Sequence, residues 1–135
     1  IRAAIGVVQL KKLKQGNAKR GMLTEYYRKK FRGTQVIVPF VEIDAVVPAY
    51  HIMPILLPEN INRSKLMEMM KNKGIQTSVH YPSFSSFTAY RNIADYNQIK
   101  IANEICEREL TLPLHPRLDY QEIDLVADTL LEIIN

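Results

Sequence analysis

The sequence predicts an α+β fold in which a small sheet of about three strands has helices on one face and follows a long N-terminal helix. Three observations support this prediction: helical spacing of apolar residues over 1–31, period-two alternation over 75–80, and a well-delimited amphipathic helix at the C-terminus. The length of 135 residues, with 47% hydrophobic and 24% charged residues, is typical of a single globular domain.

The first element is a long helix from Ile1 to Phe31, because its apolar residues recur every three or four positions. Gly16 and Gly21 each cost about 1 kcal/mol relative to Ala inside a helix. We therefore expect a bend or a frayed section between Gln15 and Gly21.

An extended connection leads to a strand over 50–57, which Pro54 interrupts. Proline has no N–H to donate, so Pro54 should lie at a sheet edge or bulge. The next helix is capped by Asn62 or Ser64, contains Met67, Met69 and Met70 as core residues, and ends before Gly74.

Residues 75–80 alternate apolar and polar side chains, which predicts a half-buried strand. Residues 81–97 form an aromatic loop, followed by a helix over 98–110 whose inner side would carry Ile101 and Ile105. A short strand over 111–114 comes next. Asp119 and Glu122 then form a capping-box pattern at the start of the last helix, whose apolar stripe is Ile123, Val126, Ala127, Leu130, Leu131 and Ile134.

Several classes of protein find no support in the sequence. There is no apolar run long enough for a membrane span and no signal-peptide pattern, and the single cysteine, Cys106, favours a reducing, cytoplasmic setting. His51, His80 and His115 are too far apart for a local metal motif, and Gly-rich phosphate loops and Gly-x-Ser-x-Gly are missing. We expect no metal site.

Charge is distributed unevenly along the chain. Residues 1–32 hold ten Lys or Arg and one acid, Glu25, although the whole chain has a net charge of only +4. This basic helix is either a solvated face or the contact surface of a non-catalytic module that binds nucleic acid or another anionic partner. The residue types favour the solvated face.

His80 and Tyr81 are the candidate site residues, since they end a strand and begin an aromatic loop. From residue types alone, a backbone hydrogen bond at the strand end explains His80 more simply. Lys65, Lys71 and Lys73 lie on a charged helix face, unlike a Schiff-base lysine, which is normally desolvated. The residues alone therefore predict no catalytic group.

Four segments resemble the DegT/StrS type of sugar aminotransferase, a group of fold type I pyridoxal-phosphate (PLP) enzymes. In chain order they read IRAAIGVVQL at 1–10, YHIMPILLP at 50–58, GIQTSVHYP at 74–82 and LPLHP at 112–116. The resemblance spans the whole chain and identifies it as a C-terminal small domain, with an inter-domain helix at 1–32 and an α+β sandwich at 46–135. The large PLP-binding domain is expected to be missing, since the chain starts without methionine in helix-forming sequence.

The resemblance implies a homodimeric parent enzyme that transfers an amino group, usually from glutamate, to a nucleotide-linked keto sugar. It implies PLP as the parent's cofactor, none bound to this piece alone, and His80 and Tyr81 on the substrate side of the site. The Schiff-base lysine and the other cofactor contacts of the family lie upstream of the matching segments. Ser83-Phe84-Ser85-Ser86 replaces a second histidine found in many members, so the sugar is not predicted.

Overall fold

A computed structural model describes residues 1–40, 46–90 and 98–135 of the chain. Its helices are α1 (Arg2–Phe31), α2 (Arg63–Asn72), α3 (Lys100–Arg108) and α4 (Tyr120–Ile134), and its strands are β1 (Met53–Leu56) and β2 (Glu109–Leu112). Two short 3₁₀ turns, Phe84–Ser86 and Thr88–Tyr90, lie in the predicted aromatic loop, of which residues 91–97 are outside the described residues. No helix in the described ranges is long and apolar enough to cross a bilayer.

Helix α1 runs without interruption through both glycines, so the predicted break between Gln15 and Gly21 is wrong. Packing of the second half of α1 explains the difference, because Leu23, Tyr27 and Phe31 are buried in the core. This burial offsets a helix-propensity cost of about 1 kcal/mol at each glycine. The side chains of residues 1–15 are all exposed instead.

The sheet has two strands in place of the predicted three. β1 pairs antiparallel with β2, from Met53 opposite Leu112 to Leu56 opposite Glu109. Segment 75–80 joins the other side of β2 through a single bridge between Ser78 and Thr111. The predicted alternation of burial is confirmed over 75–78, even though no continuous ladder forms.

The ladder between segment 75–80 and β2 is stopped on both sides of its single bridge. The next hydrogen-bonded pair in one direction would be Gln76 with Pro113, which has no N–H to donate. In the other direction His80 N donates to the Glu109 side chain at 2.9 Å, while Arg63 Nη1 donates to Glu109 O at 2.9 Å. Side-chain hydrogen bonds thus replace the missing backbone pair.

Other predicted elements are confirmed with shifted ends. The strands predicted at 50–57 and 111–114 are found at 53–56 and 109–112, and the helix predicted at 98–110 is found at 100–108. Pro54 lies in β1 opposite Thr111, whose backbone bonds to Ser78 and not to β1, so the missing N–H interrupts no bond between the strands.

The caps of α2 and α4 are those that the sequence predicts. Asn62 accepts a hydrogen bond from Lys65 N, and Gly74 follows the helix with a φ of 81°. Asp119 and Glu122 form a complete capping box at α4. α4 packs against α1 and α2, and Met53 and Met70 fill the core between these helices and the sheet, whereas Met69 is exposed.

Helix α3 differs from its prediction because it has no buried residue. Ile101 and Ile105, the expected inner side, are 73% and 45% exposed. An amphipathic pattern shows that a helix has an apolar face but not whether that face is covered within the same chain.

Candidate functional site

His80 lies at the end of segment 75–80, beside the start of β2, and is partly buried. Its Nδ1 lies 2.9 Å from Thr111 Oγ1 and 3.5 Å from Ser78 Oγ. Within the described residues nothing forms a hydrogen bond with His80 Nε2. One ring nitrogen is thus fixed by the protein, and the other is available to a ligand.

The carboxyl group of Glu109 binds both the backbone of His80 and the residue that contacts its ring. Glu109 is only 5% exposed, and its side chain accepts hydrogen bonds from His80 N and from Thr111 Oγ1, the latter at 2.5 Å. The two donors match the two acceptor oxygens of an ionised carboxylate. The sequence predicts Glu109 on the inner side of the helix at 98–110 and Thr111 in the following strand, but predicts neither as a site residue. The available signal was an acidic residue next to the apolar positions Leu110 and Leu112.

Tyr81 follows His80 through a cis peptide bond, and its ring meets the His80 ring edge-on at a centroid distance of 5.0 Å. The Tyr81 side chain is 71% exposed, so it extends away from the core while His80 remains anchored. Phe84 and Tyr90 continue this exposed aromatic surface, with their rings edge-on at 5.7 Å. The predicted aromatic loop therefore presents its rings to solvent as far as it is described.

The loop is tied to α3 through one amide group. Ser83 Oγ donates to Asn103 Oδ1 at 2.5 Å, and Ser85 Oγ donates to the same oxygen at 2.9 Å. Ser85 is 5% exposed, so this polar cluster is shielded from solvent. Anchoring of this kind holds the residues after Tyr81 against a regular helix.

The other two histidines are not brought to this site. His115 is exposed, and its Nδ1 accepts a hydrogen bond from Arg117 N at 3.3 Å. His51 is exposed and lines a cavity of about 630 Å³ between α1 and residues 46–54. Thr24 also lines this cavity and is 6% exposed. In the described part of the chain no three His, Cys, Asp or Glu side chains are grouped as a metal site.

Much of the basic surface of α1 is engaged within the chain. Lys30 Nζ lies 2.7 Å from Asp128 Oδ1 and 3.0 Å from Asp124 Oδ1, and these two partners raise the pKa of Lys30. Arg28 pairs with Glu25, and Lys19 lies 5.3 Å from the ring centroid of Tyr120. Fewer side chains remain for an anionic partner than the sequence suggests.

The lysines do not fit a Schiff base with PLP. Every lysine in the sequence falls within the described residues, and none is buried. A lysine that forms a Schiff base needs a desolvated setting that lowers its pKa. The described residues therefore supply a histidine and aromatic groups for a site, but no group that would hold this cofactor covalently.

The sequence matches the DegT/DnrJ/EryC1/StrS aminotransferase family over residues 1–131. This chain belongs to that family. Among its relatives is the dTDP-4-dehydro-2,3,6-trideoxy-D-glucose 4-aminotransferase of Saccharopolyspora spinosa, 36% identical, with the match covering 93% of this chain and 32% of the relative. The UDP-4-amino-4,6-dideoxy-N-acetyl-beta-L-altrosamine transaminase of Campylobacter jejuni is 29% identical, with 99% and 36% covered.

Solved structures of family members share the fold. DesV of S. venezuelae, in complex with a ketimine intermediate, is 25% identical with a TM-score of 0.85, covering 98% of this chain and 36% of that one. NtdA of Bacillus subtilis, with bound cofactor PMP, is 26% identical with a TM-score of 0.79, covering 98% and 31%. This aminotransferase-family chain thus spans about a third of the length of the relatives that it matches.

Proposed function

We propose that this chain is the C-terminal small domain of a PLP-dependent aminotransferase that acts on nucleotide-linked keto sugars in amino-sugar biosynthesis, in a reducing cytoplasmic setting. The names of the Saccharopolyspora and Campylobacter relatives support the substrate class. The PMP and ketimine in the two solved relatives support PLP as the cofactor of the complete enzyme.

On this proposal the chain is inactive alone. The observation that carries this conclusion is that no lysine in the chain is buried. Amino transfer through PLP needs a desolvated lysine for the Schiff base, and this chain offers only solvated or ion-paired ones. The cofactor lysine would then come from a separate PLP-binding domain.

The first half of α1 is the surface that such a domain would cover. Ile5, Val7, Leu10 and Leu13 are 49–70% exposed, although each is strongly apolar. Exposed apolar groups gathered on one element are typical of a surface that packs against a partner. In the complete enzyme this surface would be buried, and the enzyme would be a homodimer.

His80 and Tyr81 would face the substrate. His80 has an anchored ring with one uncommitted nitrogen, and Tyr81 offers an exposed ring beside it. A planar ring and a hydrogen-bonding nitrogen suit the sugar and base of a nucleotide-linked substrate. Both residues would therefore affect the KM for the sugar nucleotide more than cofactor binding.

The first experiment uses the purified 135-residue chain with PLP, glutamate and a dTDP-4-keto sugar. We expect no transamination, and no specific lysine adduct by mass spectrometry after borohydride reduction. The same reaction without PLP sets the background. A single modified lysine in this chain, or turnover, would refute the proposal that the cofactor site lies elsewhere.

The second experiment tests the substrate role in a chimera. This chain replaces the matching third of the Saccharopolyspora enzyme, and amino transfer to its dTDP sugar is measured. We expect PLP to bind the chimera, and His80→Ala to raise the KM for the sugar nucleotide about tenfold or more, as loss of one hydrogen bond allows. An unchanged KM in an active His80→Ala chimera would contradict the role of His80.

A further inference from the structure

We propose that Glu109 and Thr111 are positioning residues that hold neutral His80 with its proton on Nδ1, so that Nε2 accepts a hydrogen bond from a substrate hydroxyl. The inference rests on the proposed substrate role of His80 for its functional meaning. The proton arrangement itself rests only on contacts within this chain.

The direction of the hydrogen bonds follows from counting protons. A carboxylate can only accept, so the 2.5 Å contact between Glu109 and Thr111 uses the single hydroxyl proton of Thr111. Thr111 Oγ1 then has only lone pairs for His80 Nδ1, which lies 2.9 Å away. His80 Nδ1 must therefore carry a proton, and in a neutral ring Nε2 has none.

The hydroxyl of Ser78 does not change this assignment of protons. Ser78 Oγ lies 3.5 Å from His80 Nδ1, which is at the outer limit of a hydrogen bond. The Thr111 contact is shorter by a wide margin, and Thr111 is held by a buried carboxyl group. Glu109 also accepts from His80 N at 2.9 Å, so the same side chain fixes both the backbone and the ring of His80.

The position of the proton on Nδ1 determines which chemical group the neutral His80 ring can bind. A bare Nε2 is an acceptor, which suits the hydroxyl of a sugar and does not suit a phosphate oxygen, since phosphate offers acceptors at neutral pH. We therefore assign the sugar hydroxyls, and not the diphosphate, as the substrate groups that His80 contacts.

The decisive measurement is made on the unmodified chain. Two-bond ¹H–¹⁵N correlation spectra of the histidine rings distinguish the two neutral tautomers, and are recorded at alkaline pH, where the ring signals no longer change with pH. The chain has only three histidines, so the signals that disappear in His80→Gln identify His80. We expect a protonated Nδ1 and a bare Nε2, and the opposite pattern would overturn the proposal.

A substitution can reverse the tautomer without removing any group. In Glu109→Gln the amide oxygen can accept from His80 N while the amide nitrogen donates to Thr111 Oγ1. Thr111 is then free to donate to His80 Nδ1, so the proton should move to Nε2. Ser78→Ala is the matched control and should leave the wild-type pattern unchanged. A wild-type pattern in folded Glu109→Gln would contradict the role of Glu109.

Failure of this inference can be separated from failure of the proposed function. The tautomer is measured without substrate or cofactor, so it stands or falls independently of catalysis. In the active chimera, Glu109→Gln should raise the KM for the sugar nucleotide and leave PLP binding unchanged, while Ser78→Ala should change neither. A reversed tautomer with an unchanged KM would refute the hydroxyl contact and retain the positioning role.

Discussion

The ring of Tyr50 lies directly against the backbone of Gly21, so that a Cβ atom at Gly21 would be 2.9 Å from Tyr50 Cε2. Tyr50 also has a positive φ of 47°, an uncommon conformation for a residue with a side chain. The contact joins α1 to the segment that leads into β1. The absence of a side chain at Gly21 is thus a packing requirement.

This contact predicts opposite outcomes for two similar substitutions. At Gly16 a Cβ would meet its nearest atoms at 3.5 and 3.6 Å, an ordinary contact, so Gly16→Ala should raise the free energy of unfolding by about 1 kcal/mol. At Gly21 the overlap with Tyr50 costs about 1–3 kcal/mol, which offsets or exceeds the same gain. Urea denaturation of both variants tests this, and equal stabilisation by the two would contradict it.

Tyr27 offers a second test, in the alkaline range. Its side chain is fully buried, and its hydroxyl donates to Pro113 O at 3.0 Å. Burial, with a smaller contribution from the charge of Glu122, raises the pKa of Tyr27 above its usual 10.0. The folded state therefore keeps the Tyr27 proton to a higher pH than the unfolded state does. The contribution of Tyr27 to the free energy of unfolding is complete below about pH 10 and decreases as the pH rises further.

Tyr27→Phe should lower the free energy of unfolding by about 1–3 kcal/mol near neutral pH, because the Pro113 carbonyl loses its partner. Above about pH 10 the difference between the wild type and Tyr27→Phe should shrink, since only the wild type must keep this phenol neutral. Chemical denaturation at pH 7 and pH 11 measures both effects. A difference that stays constant with pH would show that Tyr27 does not titrate on unfolding.

The sequence was most informative where local chemistry decides the structure. The capping box of Asp119 and Glu122, the Asn62 cap and the positive φ of Gly74 all depend on residues within a few positions of each other. Such contacts form in any surrounding, so residue type alone predicts them. Helix α4, which has both a cap and an apolar stripe, was accordingly predicted almost to its ends.

The predictions were wrong where residues that are distant in the sequence determine the local structure. Nothing within segment 75–80 indicates that Pro113 and the side chain of Glu109 would limit it to one bridge with β2. The same holds for the site: the strand-end position of His80 predicts a site residue, but nothing local indicates that Thr111, 31 residues away, contacts its ring. Helix α3 has the pattern of a packed helix, yet Ile101 is exposed in this chain.

The ion pair between α1 and α4 predicts an acid-dependent contribution to stability. Asp124 accepts from Lys30 and from Tyr26, whose hydroxyl lies 3.0 Å from Asp124 Oδ1, and these bonds lower the pKa of Asp124. The contribution of Asp124 to the free energy of unfolding is complete above the pKa of an unfolded aspartate, about 4. It decreases as the pH falls through the pKa of Asp124 in the folded state. Stability of Asp124→Asn should therefore depend less on pH between about 5 and 2 than that of the wild type.

The control for this pair is Asp128→Asn. Asp128 is 62% exposed, and its loss leaves the bonds of Asp124 to Lys30 and Tyr26 intact. Its effect on the acid dependence should be the smaller of the two, because exposed ion pairs are screened by solvent. Thermal denaturation across the acid range compares them, and a larger effect of Asp128→Asn would contradict this order.

Asn103 provides a test of how the aromatic loop is held. Both Ser83 and Ser85 donate to Asn103 Oδ1, so these two serines require an oxygen at this position. Asn103→Asp keeps such an oxygen and should retain slow amide exchange over 84–90, whereas Asn103→Ala should accelerate it by about tenfold, which corresponds to about 1.4 kcal/mol of lost stabilisation. Equal exchange in both variants would mean that other contacts hold the loop.

The exposed apolar residues of α1 predict that the isolated chain self-associates. Leu10 is 70% exposed on the half of α1 that contributes nothing to the core, and Leu125 on α4 is similarly exposed at 58%. Leu10 has further exposed aliphatic neighbours on its own helix, among them Val7 and Leu13, whereas Leu125 is the single exposed aliphatic residue of α4. Apolar groups that adjoin one another bury more area on contact than a single side chain does, so association should depend on α1. Leu10→Glu should therefore shift sedimentation velocity profiles toward monomer, and Leu125→Glu should not.

The wild-type chain at about 100 μM provides the contrary outcome. At this concentration, contacts that contribute more than about 5.5 kcal/mol to association would be populated. If the wild-type chain is already a monomer there, this half of α1 does not drive association by itself.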